Sequence, residues 1–187
     1  MIFLGADPGT TGAIAIVSEA GFLATDDLPV HVIKTGRKTR RMLDLGALRT
    51  LLTRQRIDHV VIEQVGTRPG EGRVSAFNFG YTAGAIVGLV AGLQLPYSLV
   101  TPQLWQRAAG CGPSPDAARQ TAGRLYPAAV PYLTRKRDAG RADAILIARY
   151  GIEWSAQQHR PEPAQSIVVS SVPTGRPVDA LSTQQST

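Results

Sequence analysis

Cysteine, lysine and aromatic side chains are all scarce in this sequence. One cysteine, Cys111, stands among 187 residues, which excludes an intramolecular disulfide and makes a cysteine-ligated metal site implausible. A reducing cytoplasm is the compartment that fits. The most apolar stretch, 83–95, is broken by Gly84, Gly88, Gly92 and Gln94 and is too short to span a bilayer, so it is expected to be a buried helix of a soluble protein. The opening MIFLGADPG has no basic residues ahead of an apolar segment, and a signal peptide is not expected. Lysine occurs only at 34, 38 and 136, so most of the 20 basic residues are arginine.

What is present is an ordinary globular balance, 43% hydrophobic and 18% charged, which argues against global disorder and against a membrane protein. The length suits one domain with a tail. A net charge of +6, carried on planar arginine forks that match phosphate geometry, points to a polyanionic partner, although a merely basic soluble protein has the same charge.

Short apolar runs at 2–6, 13–17 and 21–28 predict an antiparallel meander, with Asp7-Pro8-Gly9 turning the chain after the first. The basic segment HVIKTGRKTRR, 31–41, has no pattern and is expected to be a loop or an extended edge. Leu45, Leu48, Leu51 and Leu52 then recur at helical spacing behind Asp44, a natural cap. HVVIE, 59–63, is β-branched and brief, as a buried parallel strand should be.

After a Gly/Arg-rich connection, GTRPGEGR, a long helix is expected from Ser75, with Phe77 and Phe79 packing into the core. Gly80, Gly84 and Gly88 give this helix a flat face that suits either internal packing or a second copy of the chain. A strand at 96–100, the Thr101-Pro102 helix start with Trp105 in the core, and helices at 116–125 and 142–156 complete the domain, 1–156. Residues 157–187, rich in Gln, Ser, Thr and Pro, read as a disordered tail. The fold class is therefore α/β: a mixed five-stranded sheet, antiparallel meander plus parallel strands, flanked by helices.

Three carboxylates sit where such a sheet keeps its ligands. Asp7 ends the first strand, Glu63 ends an apolar strand that should not hold a lone carboxylate, and Asp143 opens the last helix. Each alone has a plain explanation as turn former, strand end or helix-dipole partner. Together they suggest a cation, and oxygen ligands without Cys or His favour Mg²⁺ or Mn²⁺. Two such ions would drive hydrolysis at phosphorus, which makes a basic protein of this kind a plausible nuclease.

At these residues the sequence resembles the RuvC branch of the ribonuclease H-like superfamily. LGADPGTTGAIAI resembles its first strand and hairpin, VVIEQV its acid-bearing strand and GRADAILIA its last helix. AFNFGYTAGAIVGLV and TPQLWQRAAG resemble the segments between, so the likeness runs over about residues 2–155. It implies a homodimeric Holliday junction resolvase that makes paired nicks with 5′-phosphates, two Mg²⁺ ions (or Mn²⁺) per site, and Asp7, Glu63 and Asp143 as catalytic metal ligands. Asp138, in a D-x-G-R-A-D pattern, joins them only if the helix begins after it. The position where bacterial relatives carry a fourth acid is Gly140 here.

The family's lysines near the scissile phosphate are also missing, so their role is absent or passed to arginines such as Arg107 and Arg119. DNA contacts are expected from Arg37, Lys38, Arg40 and Arg41, from Arg68 and Arg73, and from Arg135, Lys136, Arg137 and Arg141, each beside an active-site element. Three other readings remain: an actin-like or sugar-kinase ATPase, suggested by DPGTTG, a YqgF-like nuclease acting on RNA or hybrid duplex, and a junction-binding protein that does not cut.

Overall fold

In the computed structural model, which describes residues 1–9, 11–36, 38–64, 66 and 72–158, the apolar runs become the inner strands of one sheet. Strands β1 (Ile2–Asp7), β2 (Ala13–Ser18) and β3 (Gly21–Asp27) form the expected antiparallel meander. β6 (His59–Glu63) and β7 (Tyr97–Val100) add to it in parallel, giving the order β3-β2-β1-β6-β7. Among the described residues, strands β4 (Val30–Thr35) and β5 (Lys38–Leu43) pair only with each other.

Side chains alternate across the sheet, so it builds two cores. On one face Leu4, Ala6, Ile14, Ile16, Val60 and Ile62 meet Leu48 and Leu52 of α1 (Leu45–Thr53) and Ile86 and Val90 of α2 (Arg73–Gly92). Each fully buried aliphatic side chain of this kind contributes about 1.5–3 kcal/mol. On the other face Phe3, Ala15, Val17 and Val61 pack on α5 (Ala139–Gln158), with α3 (Pro102–Ala109) and α4 (Ala117–Leu125) alongside. Helix α5 lies directly on β1, because a Cβ on Gly5 would meet the backbone of Ala144 and Ala148. Small residues on both elements permit that approach.

Asp44 caps as the sequence suggests, whereas Thr101 precedes Pro102 without a side-chain capping hydrogen bond. Asp44 accepts a hydrogen bond from the Ala47 backbone N–H at 2.9 Å at the start of α1, and Pro102 opens α3.

Several expectations need correction. The 31–41 segment is not a loop or simple edge but most of a two-stranded ribbon, turned by Gly36 at φ +60. Helix α2 is not buried: among its residues only Ile86 and Val90 are, and Phe77 is 63% exposed. It starts at Arg73, and at 20 residues it is long and apolar enough to cross a bilayer by length and composition, contrary to the shorter span read from sequence. The last helix begins at Ala139 rather than 142 and follows a 3-10 turn, Lys136–Asp138. Of the expected tail, 157 and 158 finish α5 and 159–187 lie outside the described residues, as do residues 67–71 of the GTRPGEGR connection.

Candidate active site

The parallel strands β1 and β6 end side by side, and the N-terminal part of α5, which carries Asp143, packs against them. This topology brings Asp7, Glu63 and Asp143 to the floor of one cleft of about 1490 Å³. The ribbon forms one wall through Val30, Thr39, Arg41 and Leu43, and the first turns of α2 form the other through Arg73, Phe77 and Phe79.

Asp7 is 8% exposed, and its Oδ1 accepts a hydrogen bond from the Gly9 backbone N–H at 2.9 Å. Burial pushes its carboxyl up to about 7; the Gly9 bond opposes that shift and the charge of Glu63 adds to it. Asp143 is also raised to about 7, first by burial and then by the charges of Asp7 and Glu63. The three acids thus share one electrostatic field. Among the described residues no three His, Cys, Asp or Glu side chains stand close enough, as placed, to grip an ion between them. The cluster is an open set of oxygen donors whose repulsion a divalent cation would relieve.

Glu63 is held by a partner that sequence reading assigned to the core alone. Trp105 is 1% exposed, and its indole N–H donates to Glu63 Oε1 at 2.9 Å. Trp105 lies in TPQLWQRAAG, a segment without lysine. No local pattern could reveal the bond, since the partners are 42 residues apart.

The structure places Asp138 elsewhere. The helix does begin after it, as the resemblance required, but its 2% exposed side chain accepts hydrogen bonds from the backbone N–H and the guanidinium of Arg135, and it does not line the cleft. Those bonds hold its carboxyl below the usual range. Gly140 takes the space beside Asp7 instead. A Cβ there would sit 3.0 Å from Asp7 Oδ2 and would collide with the carbonyl oxygen of Thr11, so a fourth acid at 140 has no room.

The expected DNA contacts divide into groups. Arg41, Arg73 and Arg137 line the cleft. Arg141 is instead bonded to Asp27 at 2.6 and 2.9 Å, Arg119 to Asp116 and the Leu133 carbonyl oxygen, and Arg135 to Asp138, so these three are committed to internal pairs. Arg107 and Lys136 are exposed away from the cleft lining. Lys38 and Arg40 are on β5 with side chains outside the described residues, and Arg37 and Arg68 lie outside them altogether. Phe77 and Phe79, expected in the core, line the cleft, and Phe77 stacks on Tyr81 at a ring separation of 6.5 Å.

No protein-family model matches the chain. It is 30% identical over 86 residues to the chloroplastic Holliday junction resolvase MOC1 of Chlamydomonas reinhardtii, a match over 45% of this chain and about a tenth of that relative's length. Among solved structures it is similar to Thermus thermophilus RuvC in complex with a Holliday junction substrate, with a TM-score of 0.59 and 16% identity over 84% of this chain and 96% of that one. A second Thermus thermophilus RuvC structure gives 0.56 and 18%, over 84% and 97%. The fowlpox virus Holliday junction resolvase gives 0.50 and 15%, over 84% and 99%. The chain therefore has the RuvC fold, the five-stranded mixed sheet flanked by helices that its sequence implies.

Proposed function

We propose that this chain is a metal-dependent endonuclease that resolves four-way DNA junctions as a homodimer, leaving 5′-phosphates. The observation that carries the reading is the meeting of Asp7, Glu63 and Asp143 on the floor of a cleft walled by Arg41, Arg73 and Arg137, on a RuvC fold. Such a cleft draws a phosphodiester in by its rim and presents acids to it at depth. The similarity to MOC1 and to RuvC supports the junction as substrate.

Asp7, Glu63 and Asp143 would hold Mg²⁺ or Mn²⁺, which supplies the positive charge that activates water and steadies the leaving oxygen during in-line displacement. The chain's own residues do the rest. The Gly9 N–H fixes one oxygen of Asp7, Trp105 fixes one of Glu63, and α5 sets Asp143 above both. Arg41, Arg73 and Arg137 orient the phosphate backbone.

Dimerisation fits the exposed side of α2. A Cβ on Gly80, Gly84, Gly88 or Gly92 would meet nothing within 4 Å, so packing within the described chain is not what these glycines serve. Tyr81 is exposed on the same helix and does not line the cleft. A second copy laid there would cover it and the glycines and pair two sites for two cuts.

The test is cleavage of four-way DNA, flaps, hybrid duplex and structured RNA with Mg²⁺ or Mn²⁺, run beside Asp7→Asn. That variant should bind junctions as tightly as the native chain and nick them about a thousandfold more slowly, equivalent to about 4 kcal/mol of lost transition-state stabilisation. Unchanged nicking by Asp7→Asn would sink the site; preference for hybrid or RNA would move the substrate and keep the chemistry.

A further inference from the structure

The β4–β5 ribbon carries none of the three acids and stands apart from the five-stranded sheet that holds two of them. Its register sets Val32 against Arg41 and Lys34 against Thr39. Because side chains alternate along a strand, Val30, Val32 and Lys34 share a face with Thr39, Arg41 and Leu43. Val30, Thr39, Arg41 and Leu43 line the cleft, so this is the face turned toward the acids. Leu43 at its base is buried with the core, while Val32 is 55% exposed and Lys34 and Arg41 are exposed. From Leu28 to Leu43 the sequence carries five lysines and arginines and no acidic residue.

A ribbon rooted in the core, facing a cleft and lined with basic and small apolar side chains matches a rod-shaped polyanion. At about 3.4 Å per residue its six-residue strands reach about 20 Å, the length of about six base pairs of duplex. Arg73 stands on the wall across the cleft, so a duplex entering there would be held from two sides.

We propose that the β4–β5 ribbon is a clamp on one duplex arm of the branched substrate, with Lys34 and Arg41 on phosphates and Val32 against the sugar edge. The proposal rests on the nuclease reading and adds to it which element grips the arm and how far from the acids. It makes affinity depend on arm length, which contacts confined to the floor would not do.

The test is binding without cleavage. Fluorescent four-way junctions with arms of about 15 or about 5 base pairs, longer and shorter than the reach of about six, are titrated with the full chain in EDTA over a series of KCl concentrations. The native chain should bind long-armed junctions at least tenfold more tightly than short-armed ones. Lys34→Glu and Arg41→Ala should lose most of that preference, each lowering the salt slope on long arms by about one, while Lys34→Arg retains it. Melting curves that match the native chain confirm that the variants are folded. Variants with native arm-length preference and native salt slope would overturn the clamp alone. Variants that change oligomeric state rather than DNA affinity would overturn it in favour of a contact between copies. A native chain that binds no branched DNA would overturn the nuclease reading and the clamp with it.

Discussion

The floor of the cleft and its walls are built on opposite physical terms. Asp7, Glu63 and Asp143 are carried by β1, β6 and α5, elements whose neighbouring residues are almost wholly buried. The walls are the ribbon and the start of α2, where Val32, Phe77 and Val74 are 55%, 63% and 75% exposed. The floor accepts an electrostatic cost in exchange for rigidity, since two acids raised to about 7 oppose their own ionisation. The walls keep their charge solvated and bury little. On the proposed reading, chemistry would be fixed by the core, while substrate grip would rest on elements free to differ in shape.

The comparison breaks most severely if the floor tolerates change. Asp143→Asn should abolish nicking as fully as Asp7→Asn does, yet make the metal-free protein more stable at pH 8, because it removes a charge from a buried, self-repelling cluster. Thermal melts in EDTA with a single-turnover nicking assay would read both. A variant equally unstable and fully active would mean that the floor is ordinary surface. Gly140→Asp should not supply a fourth ligand. Its Cβ would collide with the Thr11 carbonyl oxygen, so a loss of about 1–3 kcal/mol in stability is expected along with slower nicking.

The acids also make a prediction about pH. Asp7 and Asp143 have folded values of about 7 against 3.8 for the ordinary carboxyl, so between about 4 and 7 the folded state holds more protons than the unfolded one. Stability of the metal-free protein should therefore be highest toward the acid side of that window and fall by up to a few kcal/mol as pH rises through 7. Adding Mg²⁺ or Mn²⁺ at pH 8 should recover much of the loss, and chelation should remove the gain. Flat melting temperatures from pH 5 to 8 in EDTA would show that the floor is not under this strain.

The two regions also differed in how legible they were. The floor could be read because a carboxylate at the end of an apolar run, as in HVVIE, has few reasons to be there. The ribbon could not, because Ile33, Lys34 and Thr39 are exposed and lysines and arginines fall at register positions of both faces, which erases the period-two signal; only Gly36 marks the turn. Helix α2 misled for the opposite reason. Apolar residues all round a helix read as burial, and the flat face of Gly80, Gly84 and Gly88 suited internal packing as well as a second copy, so the sequence did not decide which side is left uncovered. Long-range pairs were equally invisible: Arg141 looked free for phosphate until the fold brought it to Asp27, 114 residues away.

The finest test concerns the border between floor and wall, where Trp105 touches Glu63. Phenylalanine at 105 would keep most of the buried ring volume and remove only the indole N–H that fixes Glu63 Oε1. Loss of such a supporting bond weakens metal binding by about 10–100-fold. Trp105→Phe should accordingly need about tenfold more Mg²⁺ for half-maximal nicking and bind Mn²⁺ correspondingly more weakly by calorimetry without DNA. Nicking at saturating metal and junction affinity in EDTA should stay close to native. A rate that falls without any change in metal requirement would assign Trp105 to packing alone, and the floor would then end at its three acids.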